Sequence, residues 1–110
     1  VRQLLERGGS VNEKADNGET LLHAASYFGY VECVRELLDR GGSVNEKADN
    51  GETLLHAASY FGYVECVREL LERGASVNEK DNDGDTPLDL AIHYSNPQCE
   101  KELRRAMAGR

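Results

Sequence analysis

The chain has no tryptophan, only two prolines, a single methionine and no apolar run long enough to span a bilayer. That last absence argues against a membrane-spanning helix. The N-terminal VRQLLERGGS lacks the apolar core of a secretory leader, so none is expected. Basic residues are also scarce. Thirteen Lys and Arg stand against twenty Asp and Glu, for a net charge of -7 and a pI near 4.9. Phosphate backbones and anionic lipid demand a basic surface, so neither nucleic acid nor membrane is an expected partner. A basic or neutral protein partner stays compatible. Cysteines number three, Cys33, Cys66 and Cys99. An odd count without short spacing is a poor disulfide framework and a poor zinc signature. It fits a reduced, cytoplasmic-type compartment.

Catalytic patterns are missing too. There is no glycine-rich phosphate loop, no Ser-His-Asp order and no HExxH. Carboxylates are plentiful, but they recur with a fixed period. An acid–base pair needs two distinct environments that separate two pKa values, and repetition works against that. The expectation is no enzyme, no cofactor and no metal.

What the sequence has is a repeat. Residues 8–40 read GGSVNEKADNGETLLHAASYFGYVECVRELLDR, and residues 41–73 differ only by Glu72 for Asp39. The segment from Arg73 to Ala91 is a looser third copy, and the cysteines keep the 33-residue spacing. Each unit has a readable local structure. Asn17-Gly18 and Asn50-Gly51 predict tight turns. Thr20 or Thr53 then caps a short helix, LLHAASYF, which Gly29 or Gly62 ends. A second helix follows, with Val31, Val34, Leu37 and Leu38 forming an apolar stripe. Helices this short are unstable alone and must bury their stripes on the next unit, as in a solenoid.

GETLLHAA, its second copy and GDTPLDLA at 84–91 resemble the ankyrin signature. The period, the following glycine and the Val-Asn return agree. Leu21 and Leu54 stand in place of the usual proline, Ala15 and Ala48 in place of the turn aspartate, and Ser43 in place of the aspartate before Val-Asn. The resemblance implies an all-α ankyrin solenoid over residues 1–110, built of helix-turn-helix units joined by β-turn loops. Its expected parts are a partial N-terminal repeat (1–14, second helix only), repeats at 15–47 and 48–80, and a capping repeat at 81–110. His23 and His56 should bond backbone in neighbouring turns. Tyr30 and Tyr63 should pack between units, and Val31 and Cys33 should face inward.

The resemblance also implies a non-catalytic protein-interaction scaffold. Its concave candidates are Tyr27, Phe28, Tyr60, Phe61, His93 and Tyr94. Its finger candidates are Asp16, Asn17, Glu19, Asp49, Asn50, Glu52, Asn82, Asp83 and Asp85. Aromatic anchors rimmed by carboxylates suit a protein or peptide with apolar and basic residues. The aromatics could equally form a packed ladder along the array. Near-identity of two copies points to an engineered array. Its rivals are a repeat-folding design without a ligand, and a module that self-associates through an uncapped N-terminal end.

Overall fold

The computed structural model describes residues 11–109; the expected helix at Val1–Arg7 lies outside them. Within that range there are six α-helices and no strand. They are α1 (Leu21–Tyr27), α2 (Val31–Asp39), α3 (Leu54–Phe61), α4 (Val64–Glu72), α5 (Pro87–His93) and α6 (Pro97–Ala108). Each odd-numbered helix forms an antiparallel pair with the next. The first helices stack α1 on α3 on α5, and the second helices stack α2 on α4 on α6.

The threonine at each first-helix start explains why the chain turns helical there. Thr53 Oγ1 accepts from the His56 N–H at 3.3 Å, and His56 Nδ1 accepts from the Thr53 N–H at 3.1 Å. This is a capping box with imidazole in the place usually held by Glu. In the last unit Asp89 does the same work, accepting from the Thr86 N–H at 3.0 Å. Gly62 ends α3 in the left-handed region at φ 79°. The same sequence in α1 ends one residue earlier, with Phe28 as its cap. A one-residue difference lies within the ordinary fraying of helix ends.

Each unit is then tied to the next by polar groups as well as by its core. His23 Nε2 reaches the Glu52 carbonyl at 3.2 Å, and His56 Nε2 reaches the Asp85 carbonyl at 2.8 Å. Both histidines are fully buried and take the structural role expected of them. Asn45 accepts from the Ser76 N–H at 2.8 Å, as Asn12 does from Ser43 at 2.9 Å. The turns stack directly: the Asp49 N–H donates to the Asn17 carbonyl, and Asn82 N–H to the Asn50 carbonyl, both at 2.9 Å. Only glycine fits the tip. Gly51 has φ 81°, and a Cβ there would stand 2.7 Å from Asn82 Oδ1.

The core runs through the stack as Leu22, Val34, Leu37, Leu54, Leu55, Val67, Leu70 and Leu103. Leu22 and Ser26 are fully buried and Ala25 nearly so, as their helical spacing predicts. One expectation about the first copy needs correcting. Tyr30 is 58% exposed, whereas Tyr63 packs against the core over Gly29, where a Cβ would meet its ring at 2.8 Å. Val31 and Cys33 face the core as expected, half-buried against it, while Cys66 and Cys99 are buried. Tyr63 and Cys66 have a preceding repeat laid on them; among the described residues Tyr30 and Cys33 have none.

Candidate interaction surface

The aromatic residues form a ladder. Tyr27 meets Phe61 edge-on at 5.7 Å, Phe61 meets Tyr60 at 4.7 Å, and Tyr60 meets Tyr94 at 4.2 Å. His93 continues it against Tyr94 at 4.7 Å. Such pairs contribute about 0.5–1.5 kcal/mol each beyond area burial. The ladder is not sealed. Tyr60, Phe61 and Tyr94 remain 38%, 45% and 44% exposed. The ladder packing that the sequence allowed is present, and the packed rings still offer a face to solvent. Phe28 stands apart, stacked on Tyr30 at 5.7 Å.

Tyr27 and Tyr60 occupy the same position in successive copies but do different things. The Tyr27 hydroxyl donates to the Glu52 carboxylate on the next turn. Burial and that carboxylate raise its pKa above the usual phenol value. Tyr60 has Asp85 one repeat on, a side chain one methylene shorter. Its ring packs on Tyr94 at 4.2 Å, and the neighbouring Tyr60 hydroxyl raises the Tyr94 pKa.

The finger candidates divide likewise. Asn17 and Asn50 each accept from the N–H two residues on, at 3.0 Å, shaping their own turns. Asn82 donates its amide to the Asp49 carbonyl at 3.0 Å. Asp16, Asp49 and Asp83 are exposed, and Glu19, Glu52 and Asp85 are half-buried. Asp85 joins the ladder's end: with Asp89, Ile92, His93 and Tyr94 it lines an open hollow of about 570 Å³. Asp81, Asp83 and Asp85 bring carboxylate oxygens within 4.8 Å of one another. The turn accounts for this closeness, since Asp81 Oδ1 accepts from the Asp83 and Asp85 N–H groups at 3.0 and 2.9 Å.

On the opposite helices the structure shows a feature that the sequence reading missed. Arg35 bonds Glu69 of the next unit at 2.7 Å, and Arg68 reaches Glu102 at 3.3 Å. The signal was present: Arg35, Arg68 and Lys101 form one column, and Glu36, Glu69 and Glu102 the adjacent one. Cys66 and Cys99 lie beside these bridges. Burial pushes both thiols up to about 11, which disfavours the thiolate at neutral pH.

Stacked helix pairs joined by projecting turns, each unit bonded to the next, define a helical repeat solenoid. A profile of ankyrin repeats, in three copies, matches residues 1–81 and 41–108. The chain belongs to the ankyrin repeat family, whose members are generally protein–protein interaction modules and typically non-enzymatic scaffolds. No curated protein matches the chain. No helix among the described residues is long and apolar enough to cross a membrane.

Proposed function

We propose that this chain is a non-catalytic binding scaffold, an engineered or module-duplicated ankyrin array. It grips a protein or peptide along the Tyr27–Tyr94 ladder and the turn tips. The observation that carries this reading is the ladder itself, whose exposed ring faces adjoin Glu52 and Asp85. Rings give apolar anchoring at low entropic cost, and flanking carboxylates favour Lys or Arg on the partner. Copying the module repeats the anchor one unit on, so an extended partner meets a similar surface twice. An interface of roughly 600–800 Å² on this side is of the size such modules use. The copy-to-copy identity at 32 of 33 positions supports an engineered origin. A reduced, cytoplasmic-type setting suits its three free thiols.

The test is a peptide array in which basic and apolar residues vary independently. Binding should require both, should weaken with salt, and should vanish in the Tyr60→Ala, Phe61→Ala double variant while cooperative melting persists. Equal binding of acidic peptides would sink the reading. So would loss of melting cooperativity, which would make the rings structural only.

A further inference from the structure

The joint between α2 and α4 and the joint between α4 and α6 are built from corresponding columns of residues, and one column is broken. At the first joint Arg73 ties two units together. Its Nε donates to Glu69 of its own unit at 3.0 Å, and its guanidinium meets Asp39 of the preceding unit at 2.8 Å. One period of 33 residues on, Glu102 and Glu72 take the places of Glu69 and Asp39, but Ala106 stands in the place of Arg73.

A hollow of about 380 Å³ lies at that point between α4 and α6. Leu71 and Ala106, half-buried against the core, line it together with Glu72, Glu102, Arg68 and Arg105. Asp39 has Arg73, whereas Glu72 is exposed and forms no ion pair among the described residues. Glu102 is held loosely. Its arginines stand at 3.3 Å (Arg68) and 3.7 Å (Arg105), against 2.7 and 3.0 Å for those of Glu69. At 3.7 Å Arg105 makes no hydrogen bond, and its side chain is 67% exposed.

We propose that this hollow is a seat for an arginine side chain of a partner protein. The incoming guanidinium bridges Glu102 and Glu72 as Arg73 bridges Glu69 and Asp39. Its methylene stem lies on Leu71 and Ala106, apolar surface that a long basic side chain covers well. Arginine suits the seat better than lysine, because its planar fork engages two carboxylates at once where an ammonium is a point charge. Arg105 is the chain's own competitor, since it shares Glu102 and repels a second guanidinium. The seat is solvated, so one arginine alone binds weakly and the contact serves to select the partner's register.

The probe is the peptide acetyl-Gly-Arg-Gly-amide, titrated at low salt into the isotope-labelled protein. Saturable amide shifts should appear at Leu71, Glu72 and Ala106 at millimolar peptide. Replacing the arginine by citrulline, which keeps the shape and loses the charge, should weaken binding about tenfold, and Glu72→Gln in the protein should do the same. Lysine in the peptide should weaken it several-fold. Arg105→Ala should tighten binding about twofold by freeing Glu102. Ala106→Arg supplies the missing guanidinium from the chain itself. It should abolish binding and raise the thermal midpoint by about 2 °C, the gain of one exposed bridge. The proposal is overturned by shifts centred on Asp83 and Asp85, by equal binding of the citrulline or lysine peptide, or by binding that survives Glu72→Gln or Ala106→Arg. It is also overturned if the protein alone dimerises and Ala106→Arg abolishes the dimer, which would make a second copy the occupant. The seat shares no residue with the aromatic ladder, so the Tyr60→Ala, Phe61→Ala variant should bind this peptide as the parent does, and either reading can fail without the other.

Discussion

Repeats 15–47 and 48–80 differ at two positions, Asp39 against Glu72 and Gly42 against Ala75. Their local propensities are therefore nearly the same, and any structural difference between them comes from their neighbours. Among the described residues the second repeat is sandwiched and the first has a neighbour on one side only. Leu54 and Ala57 are fully buried where Leu21 is half-buried and Ala24 exposed. Tyr63 is tucked against the core where Tyr30 is out. Burial in a solenoid thus belongs to the interface between units rather than to the unit's own sequence.

The largest effect that should separate the repeats is core truncation. Leu54→Ala removes a fully buried side chain and should cost about 3 kcal/mol, within the usual range for such cavities. Leu21→Ala, at the same position of the open repeat, should cost about 1 kcal/mol because less area leaves the core. Urea denaturation of the two variants checks this. Equal losses would mean that the first repeat is covered in solution.

The cysteine column gives a second contrast. Burial lifts the thiols of Cys66 and Cys99 from the ordinary 9.0 to about 11, a roughly 100-fold smaller thiolate fraction. Cys33 is only half-buried. A thiol reagent at neutral pH should label Cys33 and leave the other two unmodified until the protein unfolds. Mass spectrometry of the partly labelled protein reads the order directly. Early labelling at Cys66 would show that the first repeat lifts away from the second.

The bridge between the repeats carries a pH signature. Glu69 is buried and bonded to Arg35 at 2.7 Å and Arg73 at 3.0 Å. The Arg35 hydrogen bond, with help from Arg73, holds its carboxyl below the ordinary 4.5. A depressed carboxylate pKa stabilises the fold above the unfolded value. That contribution is lost as pH falls through the folded value. Glu69→Gln should therefore cost about 1 kcal/mol at neutral pH, since Arg35 is partly solvated and its pairing is screened. The gap to the parent should close in acid, well below the ordinary 4.5. A gap that persists there would make the role of Glu69 steric rather than ionic.

The period, the caps and the helix order were legible in the sequence because they rest on local chemistry. Thr53, Gly62 and the Val34–Leu37 stripe act within one unit. The inward histidines were legible only through family resemblance, since their acceptors lie a repeat away. What sequence reading blurred was context. It treated Tyr27 and Tyr60 alike, yet Glu52 reaches one hydroxyl while the shorter Asp85 leaves the other to Tyr94. It did not foresee that the side chains of Asn17, Asn50 and Asn82 also hold the turns. It also passed over the Arg35–Glu69 bridge, because neither column means anything until adjacent units are stacked.

The smallest expected effect is one in which the repeats should agree. Ser26 and Ser59 are fully buried in their respective first helices, and neither hydroxyl has a hydrogen-bond partner. A buried hydroxyl without a partner destabilises the fold by roughly 1 kcal/mol, and alanine is the better helix former. Ser26→Ala and Ser59→Ala should each stabilise the protein by about 0.5–1 kcal/mol, raising the thermal midpoint by a few degrees for a domain of this size. The two gains should match, because both serines are fully buried and the residues around them in sequence are the same. A gain confined to Ser59 would show that the first repeat relaxes around its serine in a way that the sandwiched second repeat is held from doing.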